Sequence, residues 1–121
     1  MPAYSHHTEM VDAWMSRVPS EMQEKMHEVR GFLLEWPLTE WYKYQLPMYG
    51  IKKNICYLHI DTKTQQPYIG FLNGKLMLQE FPELTRRLTG DQKRVRQYWL
   101  PTQTDFETLE LLLEKAVLFD H

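Results

Sequence analysis

Side chains able to act as nucleophiles are few in this sequence, and their spacing is unfavourable. Cys56 and His59 are three positions apart in an apolar stretch with strand character. Because side chains alternate across a strand, these two would point to opposite faces, which argues against a thiol paired with its general base. Cys56 is therefore interpreted as a small buried core residue. His59 and Asp61 share a strand face, yet no third metal ligand follows at a telling spacing.

One group of carboxylates could bind a metal ion. Glu21, Glu24 and Glu28 recur at a helical spacing that places them in one sector of a helix surface. Oxygen ligands of this kind suit hard cations such as iron or calcium. Arg17 and Lys25 lie beside this stripe and would neutralise it, and an ordinary solvated helix face has the same composition. We expect these carboxylates to be exposed and to bind divalent ions weakly at most.

A second group combines aromatic rings with cations. Tyrosines alternate along the strand-like stretches with six cations, which are Lys43, Lys52, Lys53, Lys75, Arg94 and Arg96. Rings with cationic neighbours could bind an anionic ring compound or a nucleotide by stacking and charge. The residues predicted to line such a pocket are Tyr49, Tyr57, Tyr68, Asn73, Lys75 and Arg96. The alternative is that the tyrosines simply cover a half-buried strand surface.

Arg96 allows a sharper prediction, because a guanidinium in mid-strand is costly to bury without partners for its donors. We expect Arg96 to be at least half buried, with its head group in a concavity bordered by Tyr49, Tyr57 or Tyr68. Its partner would be a protein acid or a ligand. The alternative is an exposed arginine whose stem covers apolar surface.

Helices are predicted at both ends of the chain. The first has its buried stripe at Val11, Trp14, Met15 and Val18, with Thr8 as its cap and Pro19 as its end. The second begins with a capping box of Ser20 and Gln23 and buries Met22, Met26, Val29 and Leu33. The third begins with a capping box of Thr104 and Glu107 and buries Phe106, Leu109, Leu112, Leu113, Ala116 and Val117.

Between the helices the hydrophobic period changes to that of strands. Residues 44–49, 55–58 and 68–72 are predicted as consecutive antiparallel strands, with Asn54 as the left-handed residue of the turn after Gly50. A short helix or turn is expected over residues 81–88, and a last strand over residues 93–100, so the predicted order is two helices, four strands, a short helix, a strand and a closing helix. Neither face of the 55–60 strand is simply polar, which predicts a sheet covered on both sides or one with an apolar open face.

Composition limits the possible partners. A length of 121 residues fits one domain, residues 1–121, able to bury a core without disulfides. With 14 basic and 16 acidic side chains the formal charge is -2, which argues against nucleic acid as a partner. No apolar run could span a bilayer, and Glu9 and Asp12 are unlike a secretion signal. The single cysteine fits a reducing compartment, so the cytoplasm is the expected location.

The strand-like stretches also carry a family pattern. Residues 44–49 contain an aromatic-x-x-Pro-x-aromatic element, and residues 68–74 contain a Gly-aromatic pair followed by a glycine turn. Together with Lys93-Arg94-Val95-Arg96 and the closing helix, these motifs resemble the YdhG-like family, domains of unknown function also classed as frataxin-like. The resemblance covers residues 11–118. The terminal helices and the sheet must bury their apolar faces against each other. This requirement and the resemblance both predict an α+β two-layer sandwich, with an antiparallel sheet of about five strands and the terminal helices on one face.

These observations leave two specific functions open for a small intracellular, non-enzymatic binding or accessory protein. The frataxin-like resemblance implies an iron-chaperone-like role, for which Glu21, Glu24 and Glu28 would be the metal ligands. The alternative is a binder of a small anionic metabolite or nucleotide through the aromatic and basic residues of the sheet. An enzyme whose motif escapes detection is a third alternative. Neither a bound cofactor nor an oligomeric state is predicted.

Overall fold

The helices pack on one face of a five-stranded antiparallel sheet. The computed structural model of the protein describes residues 6–85 and 93–119. Its elements are α1 (His6–Ser16), α2 (Ser20–Glu35), β1 (Thr39–Lys43), β2 (Leu46–Gly50), β3 (Asn54–Ile60), β4 (Pro67–Phe71), a 3₁₀ helix (Gly74–Met77), β5 (Arg96–Trp99) and α3 (Phe106–Leu118). The strands are neighbours in sequence order, and each pair is antiparallel. The predicted α+β two-layer sandwich is confirmed.

The core lies between the helices and one face of the sheet. Cys56 and Leu58 of β3 and Ile69 and Phe71 of β4 point into it, because paired residues of neighbouring strands share a face. The helices contribute Val11, Met15, Met26, Val29, Leu33, Leu109, Leu112 and Leu113. The rings of Phe32 in α2 and Phe106 in α3 meet at 5.3 Å between centroids. This contact confirms the prediction that these two helices share one face of the sheet.

The ends of the first two helices differ from the prediction. Helix α1 begins at His6, so Thr8 lies within it. Pro19, with φ of -51° and ψ of 140°, occupies the cap position of α2, and no side chain caps that end. Gln23 reaches backwards instead, and its Nε2 donates to the carbonyl of Val18 at 2.9 Å and to that of Ser16 at 3.3 Å. Gln23 therefore donates to carbonyls at the end of the preceding helix. Those carbonyls lack partners within their helix, just as the first N–H groups of α2 do.

The cap of α3 is also one residue later than predicted. Asp105 accepts hydrogen bonds from the backbone N of Thr108 at 3.1 Å and from its Oγ1 at 2.7 Å. These bonds lower the pKa of the Asp105 carboxyl, since they favour its charged form. The expected box of Thr104 and Glu107 is not the one that forms. A carboxylate is an equally good cap, and the sequence offers both registers.

The hairpin between β1 and β2 is tighter than the sequence suggested. Lys43 pairs with Leu46, which leaves only Tyr44 and Gln45 to close the turn, with φ of 54° and 62°. These residues were predicted to begin a strand, and both adopt the left-handed conformation of a type I′ turn instead. Asn54 was predicted to be left-handed, yet it is not among the described residues with positive φ; it is the first residue of β3 and pairs with Gly50.

The short helix is displaced relative to its predicted position. It forms at Gly74–Met77, directly after β4, where Asn73 and Gly74 are favourable turn residues. The predicted segment, residues 81–88, contains turns near Phe81 and Leu84, and its residues 86–88 lie outside the described part of the chain. The last strand was predicted over residues 93–100 and is shorter, Arg96–Trp99.

The face of the sheet opposite the helices is aromatic. In register, Tyr57, Gly70 and Gln97 form one row across the strands, and the ring of Tyr57 covers the glycine. The next row contains Tyr68, whose ring lies 4.8 Å from that of Trp99. We call this face open because the core-forming helices pack on the other one; Tyr68 on it is nevertheless 0 % exposed and Gln97 2 % exposed, since the side chains of this face pack on one another. Within residues 6–85 and 93–119, no helix is both long enough and apolar enough to cross a membrane.

Candidate ligand-binding site

A pocket of about 380 Å³ opens at the end of the sheet where β3 begins and β4 ends. Its walls come from the β2–β3 turn, the 3₁₀ helix, the residues before β5 and the C-terminal turn of α3. The apolar lining consists of Ile55, Phe71, Leu72, Leu76, Met77, Val95, Ala116 and Phe119. The polar lining includes Lys53, Asn73 and Arg94. A volume of this size is within the range of sites for small organic molecules, about 300–1,000 Å³.

Backbone hydrogen bonds join the separate segments around the pocket. The N–H of Leu72 donates to the carbonyl of Ile55 at 3.0 Å, and that of Lys75 donates to the carbonyl of Arg94 at 2.8 Å. Gly74 permits the second contact, because a Cβ there would lie 2.5 Å from the Cβ of Arg96. A side chain at this position would therefore push the 3₁₀ helix away from β5. The close approach places Asn73 and Arg94 on the same pocket.

The rim of the pocket carries positive charge. Lys53 and Arg94 are exposed, and within residues 6–85 and 93–119 neither side chain has a hydrogen bond or an ion pair. Asn73 is half buried and donates from its Nδ2 to the carbonyl of Phe119 at 3.4 Å, which ties the pocket wall to the end of α3. Two cations that have no counter-ion in the described part of the chain are therefore available to an anionic group at the mouth of an apolar pocket.

Helix α3 presents its C-terminal end to this site. Such an end carries roughly half a negative charge from its unpaired carbonyls. Lys115 in the last turn partly offsets it and forms an ion pair with Glu80. The field in the pocket is therefore the sum of two exposed cations and the weaker partial charge of a helix end.

Of the six predicted ligand-binding residues, Asn73 alone lines this pocket. Lys75 is exposed on the 3₁₀ helix beside it. Tyr57 and Tyr68 lie on the open aromatic face, on the other side of the sheet from the helices. The sequence predicted these rings and cations as one group. In the structure, Tyr57 and Tyr68 lie on the face of the sheet opposite to Arg96. Whether any of the six binds a ligand stays a prediction.

Arg96 does not meet its predicted partners. It pairs with Phe71 and so points to the helix side of the sheet, opposite to Tyr57 and Tyr68. Its Nη1 donates to the carbonyls of Lys93 at 2.6 Å and Val95 at 2.9 Å. Within residues 6–85 and 93–119 no acidic side chain forms an ion pair with Arg96, and its partners there are backbone carbonyls; whether it also binds a ligand stays a prediction. The side chain is half buried, and its role here is to brace the chain that leads into β5.

Tyr49 belongs to a buried polar network that the sequence did not reveal. Its side chain is 0 % exposed, and its hydroxyl donates to Oε2 of Glu40 at 2.7 Å. Arg30 holds the same carboxylate with two hydrogen bonds of 2.8 Å, and its Nη1 bonds to Asp12 at 2.7 Å. Burial, reinforced by the neighbouring Glu40, raises the pKa of Tyr49. The pKa of Arg30 is raised chiefly by its hydrogen bonds to Glu40. This network joins both N-terminal helices to β1 and β2.

The predicted metal ligands are exposed. Glu21, Glu24 and Glu28 all face solvent on α2. Within residues 6–85 and 93–119, no three His, Cys, Asp or Glu side chains are close enough to share an ion. Glu28 also borders an open groove of about 510 Å³ between α2 and α3, whose other walls include Phe32 and Phe106. Cys56 is fully buried, and burial raises the pKa of its thiol to about 12, so it is protonated at neutral pH.

No protein-family model, curated protein or solved structure matches this chain. The resemblance to YdhG-like and frataxin-like domains therefore stays a prediction. Any functional proposal has to stand on the geometry of the pocket and the charges around it.

Proposed function

We propose that the protein is a binding protein for a small organic anion, which it holds in the pocket between the sheet end and the end of α3. The observation that carries this proposal is the combination of an apolar lining with Lys53 and Arg94, two cations that form no ion pair within residues 6–85 and 93–119. The anionic group would contact these cations and the amide of Asn73. The apolar part of the ligand would contact Leu72, Leu76 and Phe119, the lining residues with exposed apolar surface.

Charge distribution supports this reading. The whole chain has a formal charge of -2, so attraction of an anion depends on a local excess of positive charge. The rim of the pocket supplies such an excess. Arg94 can hold a carboxylate or a phosphate through two parallel hydrogen bonds, and Lys53 adds a point charge. The apolar lining would strengthen both interactions, because it lowers the local dielectric constant once a ligand displaces water.

Iron handling has weaker support. The candidate ligands Glu21, Glu24 and Glu28 lie along one exposed helix face, which lacks the oxygen cage that hard cations need. The iron-chaperone-like role therefore remains an implication of the family resemblance alone. The cytoplasm remains our proposed location, supported by the one free, buried cysteine.

Isothermal titration with a panel of anions tests the binding proposal. We would use hexanoate, benzoate, hexyl phosphate and adenosine monophosphate, with hexanol as the uncharged control. At least one anion should bind, and Arg94→Ala should weaken it about tenfold or more, since a hydrogen bond to a charged group contributes about 1.5–3 kcal/mol. Lys53→Ala should act in the same direction with a smaller effect, because lysine binds as a point charge.

Lys63→Ala is the matched control, since Lys63 is exposed in the loop after β3, remote from the pocket lining. It should leave affinity unchanged. Binding that Lys63→Ala and Arg94→Ala weaken equally would reflect general charge attraction, and the proposal would then be wrong. Lack of binding by all four anions would contradict it as well.

A further inference from the structure

We infer that the ligand of this pocket is an apolar monocarboxylate rather than a phosphate ester or a nucleotide. This inference rests on the proposed function and specifies the ligand class of the same site. The first argument comes from the donors in the pocket wall. The backbone N–H groups of Leu72, Lys75 and Leu76 already donate to protein carbonyls at 2.8–3.0 Å. They cannot also form the cluster of backbone donors that phosphate sites use.

Helix α3 faces the pocket with its C-terminal end, which is unfavourable for binding a phosphate. Phosphate sites commonly use a helix N-terminus, where unpaired N–H groups and partial positive charge face the ligand. Here α3 contributes Ala116 and Phe119 from its C-terminal turn. Partial negative charge at that end penalises a dianion more than a monoanion. A carboxylate, with one negative charge and two acceptor oxygens, matches Arg94 and the Asn73 amide better.

The cluster of aromatic side chains does not line the pocket, so it cannot stack on a nucleobase bound there. Stacking needs accessible ring faces, and the cluster of Tyr57, Tyr68 and Trp99 lies on the opposite face of the sheet.

Of the two aromatic residues in the pocket lining, Phe71 is 0 % exposed and belongs to the core, and Phe119 is half buried with the Lys115 ammonium 5.8 Å from its ring centroid. Apart from Phe119, the accessible apolar surface comes from Leu72 and Leu76, which are aliphatic and offer no directional contact. Such a surface selects by size and apolarity, which suits an alkyl or small aryl group.

A homologous series of straight-chain carboxylates tests the inference. We would titrate the protein with butanoate, hexanoate and octanoate. Affinity should rise about fourfold for each added methylene until the pocket is full, which corresponds to about 0.8 kcal/mol for each buried CH₂. Hexyl phosphate, matched to hexanoate in its alkyl chain, should bind more weakly, and adenosine monophosphate should bind more weakly still.

Two variants check that the alkyl chain occupies this pocket. Ala116→Leu adds volume to the lining and should shorten the preferred chain. Leu76→Ala is a second variant that leaves the core intact, because Leu76 is 55 % exposed. It should reduce the gain in affinity for each methylene, while Leu111→Ala, equally exposed on α3 but outside the lining, should not.

The failure of this inference differs from the failure of the proposed function. If hexyl phosphate or adenosine monophosphate binds in an Arg94-dependent manner more tightly than every carboxylate, the pocket is an anion site and the monocarboxylate assignment is wrong. Affinity that does not change with chain length would overturn the assignment too. If no anion binds, both the monocarboxylate assignment and the proposed function are wrong.

Discussion

Glu40 is the residue whose removal should destabilise the fold most directly through charge. Its side chain is 5 % exposed and accepts hydrogen bonds from Arg30 and Tyr49. Glu40→Ala would leave the Arg30 guanidinium, itself only 12 % exposed, without its main partner. Loss of one member of a buried pair costs about 3–5 kcal/mol. Urea denaturation should therefore show a loss of this size.

Two further variants separate the members of this network. Tyr49→Phe should cost about 1.5–3 kcal/mol, because it removes one hydrogen bond to a charged acceptor. Asp12→Asn should cost less than about 1 kcal/mol, because the Asp12 side chain is 45 % exposed and solvent screens its attraction to Arg30. Equal losses for Asp12→Asn and Glu40→Ala would mean that burial does not govern the energetics here.

Cys56 should make stability fall at alkaline pH. Burial raises the pKa of its thiol from 9.0 to about 12, so the folded state keeps a proton that the unfolded state releases. Stability is unaffected by this group below pH 9 and declines as pH rises from there towards about 12, by up to about 1.4 kcal/mol per pH unit. Urea denaturation of wild type and Cys56→Ala between pH 8 and pH 10 should show a shallower decline for the variant. Parallel declines would show that the thiol is not responsible.

The burial of single residues was easier to predict from the sequence than their partners. The burial of Cys56 was predicted, because an apolar strand is local information. The partnership of Arg30, Glu40 and Tyr49 was not, since it joins residues from α2, β1 and β2 through the register of the sheet. The contacts of Arg96 were not predictable for a related reason: it donates to the backbone carbonyls of Lys93 and Val95, and carbonyls have no signature in the sequence.

At the scale of elements, the β1–β2 turn carries strain that can be relieved. Gln45 has a φ of 62°, a conformation that glycine adopts without the cost paid by other residues. Gln45→Gly should raise the free energy of unfolding by about 0.5–1 kcal/mol, after the larger entropy of glycine in the unfolded chain is subtracted. Thermal denaturation measures this directly. Gln103→Gly is a suitable comparison, because Gln103 is exposed and is not among the described residues with positive φ, so it should not stabilise.

Helix α3 provides a test of the layer arrangement. Leu109 is 1 % exposed in the core, so Leu109→Ala should cost about 2–5 kcal/mol in chemical denaturation. Leu111 is 55 % exposed on the same helix, and Leu111→Ala should change stability by less than about 0.5 kcal/mol. A loss below 0.5 kcal/mol for Leu109→Ala would contradict the packing of α3 on the sheet.

The elements were predictable wherever a long periodic stripe decided them. Buried positions such as Met26 and Leu109 follow from helical spacing, and the order of helices and strands is as predicted. Caps and turns were less predictable, because neighbouring residues compete for one role. Asp105 displaces Thr104 as a cap, and the register of β1 with β2 makes a turn from Tyr44 and Gln45, residues that otherwise favour no turn.

In the whole molecule, part of the aromatic residues predicted to form one site with the cations lies elsewhere on the sheet. Tyr57 and Trp99 lie on the open face, whereas Lys53 and Arg94 meet at the end of the sheet beside α3. The sequence identified both residue types and could not assign them to separate places, since this depends on strand register and on the route of the chain after β4. Asn73 was found because the turn after a strand is a local feature.

Amide NMR titration with hexanoate is the measurement that tests anion binding in this pocket most directly. Saturable shifts should cluster at Asn73, Leu76 and Val95 in wild type and require much higher hexanoate concentrations in Arg94→Ala. Shifts centred instead on Tyr57 and Trp99 of the open face, or no saturable shifts at all, would contradict the proposed binding site.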